Sequence, residues 1–141
     1  MKKVFLDTNV LLDALESSHV RHEDCMAILS MAGNGHIEAV VSTQSLVDVA
    51  YVYTKGNKAR LQELRTLLAH FDDILTIRDT SRRAIMLASQ RFTDDFEDAV
   101  QASIALDAGC EIIITSDTSF DDPFGLPLVH PSAFCQEMFI A

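Results

Sequence analysis

Unbroken apolar runs mark the strands of this chain. Val4-Phe5-Leu6 and Ile112-Ile113-Ile114 each hold three apolar residues with no polar residue between them. Such runs read as strands buried on both faces, the kind found inside a parallel sheet. A carboxylate follows each: Asp7 directly after the first run, and Asp117 after Thr115 and Ser116 in the second. In open α/β sheets ligands bind outside the carboxyl ends of the strands. The two acids are therefore expected to meet at one rim.

Between these runs the periodicity changes to helical. Val10 to Leu15 predicts a short helix, and residues 20–34 a second one, with Cys25, Ile28, Leu29 and Ala32 at helical spacing before Gly33-Asn34-Gly35 stops it. Glu38 to Val41 predicts a strand. Ser42 or Thr43 then caps a helix through Tyr53. After a turn at Lys55-Gly56-Asn57, Leu61, Leu64, Leu67, Leu68 and Phe71 mark one face of an amphipathic helix. Ile74 to Ile77 predicts a third strand. Thr80 or Ser81 opens a helix to Phe92, and Thr93 or Asp94 opens another to Ala108, closed by Gly109. Glu111 to Thr115 is the fourth strand and Leu126 to Val129 a short fifth. Pro131 starts a last helix through Met138. Strands alternating with helices predict an α/β fold, a mostly parallel central sheet of four to five strands covered by helices on both faces. With no linker or repeat in 141 residues, residues 1–141 are expected to form one domain.

Composition changes this picture in one respect. The 48% hydrophobic and 23% charged residues are ordinary for a globular protein. The charge is not: 11 Lys+Arg against 21 Asp+Glu leave −10. That balance argues against gripping nucleic acid by overall charge, and it allows a cation site or an acidic solvated surface. Cys25, Cys110 and Cys135 form no CxxC pair and no zinc spacing with the five histidines. Three reduced thiols and a cytoplasmic location are expected, with no membrane partner, since no run approaches a spanning length.

Four acids stand out from the others. Asp7 and Asp117 do so by their position at strand ends, although Asp also serves there as a helix cap. Asp48 lies among Leu46, Val47, Val49 and Ala50, on either a narrow wet stripe or a pocket wall. Asp98 ends the run Asp94-Asp95-Phe96-Glu97-Asp98, where first-turn acids suit the helix dipole. Asp95 and Asp98 share a helix face. The small residues Ala102 and Ala105 beneath them would let that helix press onto the sheet and deliver a carboxylate to the rim. Four converging acids repel one another unless a cation compensates them. Oxygen ligands without His or Cys favour Mg²⁺ or Mn²⁺ over Zn²⁺. Such a cluster suits phosphodiester hydrolysis, with one ion activating water and a second, roughly 4 Å away, stabilising the leaving oxygen. Attack by water with departure of the 3′ oxygen would leave a 5′-phosphate and a 3′-hydroxyl.

These pieces resemble the PIN domain, a family of small metal-dependent ribonucleases that includes the VapC-type toxins of bacterial toxin–antitoxin pairs. The likeness is carried by Phe5-Leu6-Asp7-Thr8-Asn9-Val10, Ser42 to Asp48, Glu97-Asp98-Ala99-Val100-Gln101, Ile114-Thr115-Ser116-Asp117 with Phe120, and Leu126-Pro127-Leu128-Val129-His130-Pro131. It spans nearly the whole chain in order. The resemblance implies a three-layer α/β/α sandwich, an RNA substrate and Mg²⁺ or Mn²⁺ at Asp7, Asp48, Asp98 and Asp117. Asn9, Thr115 and Ser116 would be polar neighbours. It also implies a homodimer, and an antitoxin whose C-terminal segment inserts a basic residue into the acidic site. Two positions depart from the family pattern. Asp48 stands where Glu is usual, and Ser119 where an acid often precedes the Phe.

Other readings remain at this stage. An Asp-nucleophile phosphatase wants a second Asp two residues after the first, where this chain has Asn9, and a phosphorelay receiver wants paired acids after its first strand. A non-catalytic PIN-like module that binds RNA or a partner protein is the main alternative, and Asp48 in place of Glu keeps it open. Lys55, Lys58 and Arg60, or Arg82-Arg83, would hold RNA phosphates if either cluster flanks the groove; the bland reading is solvated helix surface.

Overall fold

The computed structural model describes Met1–Ile140; Ala141, the last residue of the expected domain, lies outside the described residues. Its sheet has five strands: β1 (Lys2–Leu6), β2 (Ile37–Ser42), β3 (Thr76–Arg78), β4 (Ile112–Ile114) and β5 (Leu128–Val129). All neighbours pair in parallel, in the order β3-β2-β1-β4-β5. The seven helices among the described residues are α1 (Thr8–Leu15), α2 (His22–Gly33), α3 (Thr43–Thr54), α4 (Arg60–Ile74), α5 (Arg82–Arg91), α6 (Phe96–Asp107) and α7 (Pro131–Ile140).

The apolar runs are buried on both faces, as continuous rather than alternating hydrophobicity requires. Val4, Leu6, Ala39, Val41, Ile112 and Ile114 point into one core with α1, α2, α3, α4 and α7. Phe5, Val40 and Ile113 point into a second core with α5 and α6. The result is a three-layer α/β/α sandwich. The second layer can lie close because α6 offers it Ala99, Ala102 and Ala105, all fully buried. Residues 99–105 are buried on every side, so α6 is enclosed rather than amphipathic.

Strand order decides where a ligand can sit. From β1 the chain builds outward through β2 and β3 on one side, then returns to add β4 and β5 on the other. The switch point therefore falls between β1 and β4, and the carboxyl ends of the strands at such a point are where open α/β sheets bind ligands. Leu6 pairs with Ile114 there, and the Asp7 amide extends the ladder to the Ile114 carbonyl at 3.0 Å.

Some boundaries differ from those expected. Helix α4 runs on through Ile74, which leaves β3 only Thr76–Arg78; Ile74 and Leu75 suit a helix face and a strand equally well. The cap of α6 is Asp95, whose side chain accepts the Asp98 amide, not Thr93 or Asp94. Those two residues are held by Asp121 instead, which accepts from the Thr93, Asp94 and Asp95 amides and the Thr93 hydroxyl. The three cysteines are buried, free thiols. Among the described residues no helix is long and apolar enough to cross a membrane.

Phe5, fully buried at the centre of the sheet, fills the space against α5 and α6. Phe5→Ala should cost about 3–5 kcal/mol through lost burial and the cavity left behind. Urea unfolding checks this, with an unchanged slope showing that the loss is one of native-state stability.

Candidate active site

Asp7 leaves β1 and caps α1 in one step, its side chain accepting the Thr8 amide at 2.8 Å. Its second oxygen accepts the Thr115 hydroxyl at 2.8 Å and the Asn9 side-chain amide at 3.2 Å. Both expectations for Asp7, cap and rim acid, are met by one residue. Thr115 follows β4 and stands beside Asp7 because of the Leu6–Ile114 register. Asn9 also reaches Thr115, and its carbonyl oxygen accepts the Ser116 amide at 3.4 Å. Every side-chain donor here is neutral. Burial therefore dominates and pushes the Asp7 carboxyl above its usual range; the hydrogen bonds from Thr115 and Thr8 oppose it, and the Asp117 charge reinforces it.

Asp117 belongs to the loop after β4. Its amide is held by the Thr115 hydroxyl at 3.1 Å, and its Oδ1 accepts both the amide and the hydroxyl of Ser119, at 2.9 and 2.7 Å. At the position where the resemblance suggests an acid, this chain thus supplies a donor to Asp117.

Asp98 lies in the first turn of α6, half-buried, with Oδ2 accepting the Asp121 amide at 3.1 Å. Burial pushes its carboxyl up to about 6, against the Asp121 amide and together with the charges of Asp95, Asp7 and Asp117. Asp48, on α3, is half-buried and accepts the Gln44 side-chain amide at 3.0 Å. Its charge falls on Glu97, which the four-acid reading leaves out. The Glu97 carboxyl is raised first by partial burial, then by Asp48, Asp95 and Asp7. Glu97 is hidden in the sequence because acids in a first helical turn are common.

The structure thus gathers Asp7, Asn9, Thr115, Ser116 and Asp117 at the carboxyl ends of β1 and β4, and Asp98 is near enough to feel the charges of Asp7 and Asp117. Asp48 is coupled to the group through Glu97. Among the described residues no side-chain nitrogen of Lys, Arg or His lies within 4.0 Å of a carboxylate oxygen of these acids. Asp98 Oδ1, Asp117 Oδ2 and Asp48 Oδ2 accept no hydrogen bond among the described residues. Free carboxylate oxygens without a basic counter-charge are a donor set suited to a hard divalent cation. No three of them are close enough to form a ready-made cage among the described residues.

The basic clusters are only partly free. Arg60 lies 4.8 Å over the Tyr53 ring and donates to the Tyr53 carbonyl, which ties α4 to the end of α3. Lys55 lies 5.9 Å over the Tyr51 ring.

A protein-family model described as a PIN domain matches residues 3–119. Ribonuclease VapC1 of Aquifex aeolicus is similar at 24% identity over 137 residues, covering 96% of this chain and 94% of that protein. Among solved structures, VapBC2 of Rickettsia felis, bound to a DNA fragment from its promoter, is similar with TM-score 0.68 and 18% identity, over 91% of this chain and 98% of that one. VapC20 of Mycobacterium tuberculosis, a Sarcin-Ricin loop cleaving toxin, matches with TM-score 0.64 and 12% identity, over 83% and 92%.

The raised Asp98 carboxyl sets a pH dependence. Its proton is held more tightly in the folded chain than the ordinary value of 3.8 would allow. The stability it contributes is complete at low pH and is lost as pH rises toward about 6. The metal-free protein should therefore resist urea better at pH 5 than at pH 7, and Asp98→Asn should flatten that slope. Denaturation midpoints of both proteins at the two pH values check this.

Proposed function

Because the chain belongs to the PIN domain family, we propose that it is a Mg²⁺- or Mn²⁺-dependent endoribonuclease, the toxin of a toxin–antitoxin pair. The observation that carries this reading is the uncompensated acid group at the switch point. Asp7 is buried on neutral donors alone, and Asp98 and Asp117, whose charges act on the same group, each keep an oxygen that accepts no hydrogen bond among the described residues. The similarity to Ribonuclease VapC1 over nearly the full length of both chains supports RNA as substrate. The VapBC2 structure, a pair of proteins on their own promoter DNA, supports a partner protein. Location in the cytoplasm and a homodimeric state belong to the same proposal, as does the reading of residues 1–141 as one catalytic domain.

Asp7 and Asp98 would hold the ion, with Asp117 and Asp48 completing the set directly or through water. Such an ion supplies Lewis acidity that acidifies water and steadies charge on a phosphoryl oxygen. The chain's own part is positioning. Thr115 and Asn9 fix the orientation of the Asp7 carboxylate, as partners behind a ligand do. Ser119 fixes Asp117, and the Asp121 amide fixes Asp98. Burial raises both the Asp7 and the Asp98 carboxyls, Asp98 to about 6, so protons compete with a cation for them and binding should strengthen as pH rises through about 6 and Asp98 ionises. The basic partner segment would be drawn to the same negative charge.

Purified protein should cut a mixed RNA pool with Mn²⁺ and not with EDTA, leaving 5′-phosphate ends. Asp98→Asn and Asp7→Asn should each lower the rate by about 100-fold or more while the chain stays folded. No cutting together with no Mn²⁺ binding by calorimetry would replace the nuclease with a non-catalytic binding module.

A further inference from the structure

Gln101 is a polar residue inside the most buried helix of the fold, only 3% exposed among Val100, Ala102 and Ile104. It is not one of the acids, and the proposed reaction leaves it without a role, although its side-chain amide is the least of the influences on the Asp7 carboxyl and favours the charged form. Yet its amide is fully engaged. Its carbonyl oxygen accepts the Ser42 hydroxyl at 2.6 Å, and its nitrogen donates to the Ser45 hydroxyl at 2.7 Å and to the Thr8 hydroxyl at 3.4 Å. Ser45 and Thr8 share a further hydrogen bond of 2.7 Å. Ser42 caps α3 by accepting the Ser45 amide. Ser42 and Ser45 are fully buried.

The partners of this amide are the near neighbours of the acids. Thr8 directly follows Asp7, Ser45 stands one helical turn before Asp48, and Gln101 stands one turn after Asp98 and Glu97. One side chain therefore bridges α1, α3 and α6, the three helices that carry Asp7, Asp48 and Asp98. Asp7 repels Asp98, and Asp48 and Asp7 repel Glu97 beside it, which pushes these helices apart, and no ion pair among the described residues opposes it. A fully satisfied buried polar network is stiff and specifies one arrangement. Gln suits this place because it both donates and accepts without adding charge.

We propose that Gln101 is the positioning residue that sets the spacing of Asp7, Asp48 and Asp98 for the divalent ion. This rests on the metal-dependent reading of the same site. Leu in its place fills a similar volume but joins nothing, so the helices keep their packing and lose their tie. Glu keeps the acceptor, loses the donor to Ser45 and Thr8, and brings another negative charge.

The test compares wild type, Gln101→Leu, Gln101→Glu and Ser45→Ala by circular dichroism and thermal unfolding, by calorimetric Mn²⁺ titration of the metal-free chain, and by RNA cleavage. The expected result is a folded Gln101→Leu protein whose Mn²⁺ dissociation constant rises tenfold or more. Its kcat should fall at least tenfold while KM for RNA stays within twofold. Ser45→Ala, which removes the hydroxyl that joins the Gln101 nitrogen to Thr8, should weaken Mn²⁺ binding in the same direction and decides the matter if Gln101→Leu does not fold. Mn²⁺ affinity within twofold of wild type in a folded Gln101→Leu protein, or in Ser45→Ala when that variant alone folds, overturns the proposal. So does a change confined to KM, which would make Gln101 a substrate contact. A wild type that binds Mn²⁺ but cuts no RNA removes the nuclease reading alone, and the ratio of Mn²⁺ affinities still decides the role of Gln101. A wild type that binds no Mn²⁺ overturns both.

Discussion

Parallel pairing of Leu6 with Ile114 puts the first residue beyond each strand side by side, and the rest of the site depends on that register. Asp7 comes to lie against Thr115, and Thr115 in turn holds the amide of Asp117. A slip of one residue would turn the Asp7 side chain to the opposite face. The register is protected because Val4, Phe5 and Leu6 are all fully buried, so that no shifted pairing keeps both cores filled. Hydrophobic burial on two faces thus fixes the position of a carboxylate that is itself costly to bury.

That cost is visible in the chemistry of the site. Asp7 and Asp98 are both raised, and in each case loss of solvent is the leading cause. Nearby basic residues would relieve the strain, but they would also occupy the oxygens that a cation or a basic partner segment needs. The chain instead uses neutral hydroxyls and amides. These orient the carboxylates without neutralising them, and the site stays electrostatically unfinished. The −10 net charge is consistent with this choice.

The loop after β4 shows how one residue holds several elements together. Asp121 accepts four hydrogen bonds from Thr93, Asp94 and Asp95, and its own amide donates to Asp98. It therefore ties the start of α6 to the segment that carries Asp117. Because these bonds favour its charged form, the Asp121 carboxyl is held below its usual range. Neighbouring acids in this region thus have opposed characters, Asp121 a structural anion and Asp98 a reluctant one. The difference lies in backbone donors against partial burial.

Periodicity in the sequence determined the parallel sheet, the two strand-end acids and the small face of α6, because those features follow from which residues can be buried next to one another in the chain. The sequence narrows two caps to neighbouring pairs, Ser42 or Thr43 and Thr80 or Ser81, for the same local reason, and the structure selects Ser42 and Ser81. Asp95 was not singled out as a cap, since Thr93, Asp94 and Asp95 are equivalent until Asp121, more than twenty residues away, takes hold of them. Glu97 was hidden by the helix-dipole explanation that covers any acid in a first turn. Gln101 left one trace, an amide in the run Val100-Gln101-Ala102, but nothing local says what it bonds. Its partners come from residues 56 to 93 positions away. Local composition decides which groups are buried and where strands end. Only the tertiary structure decides which buried polar groups satisfy one another, because hydrogen bonds depend on directions and distances that sequence neighbours do not set.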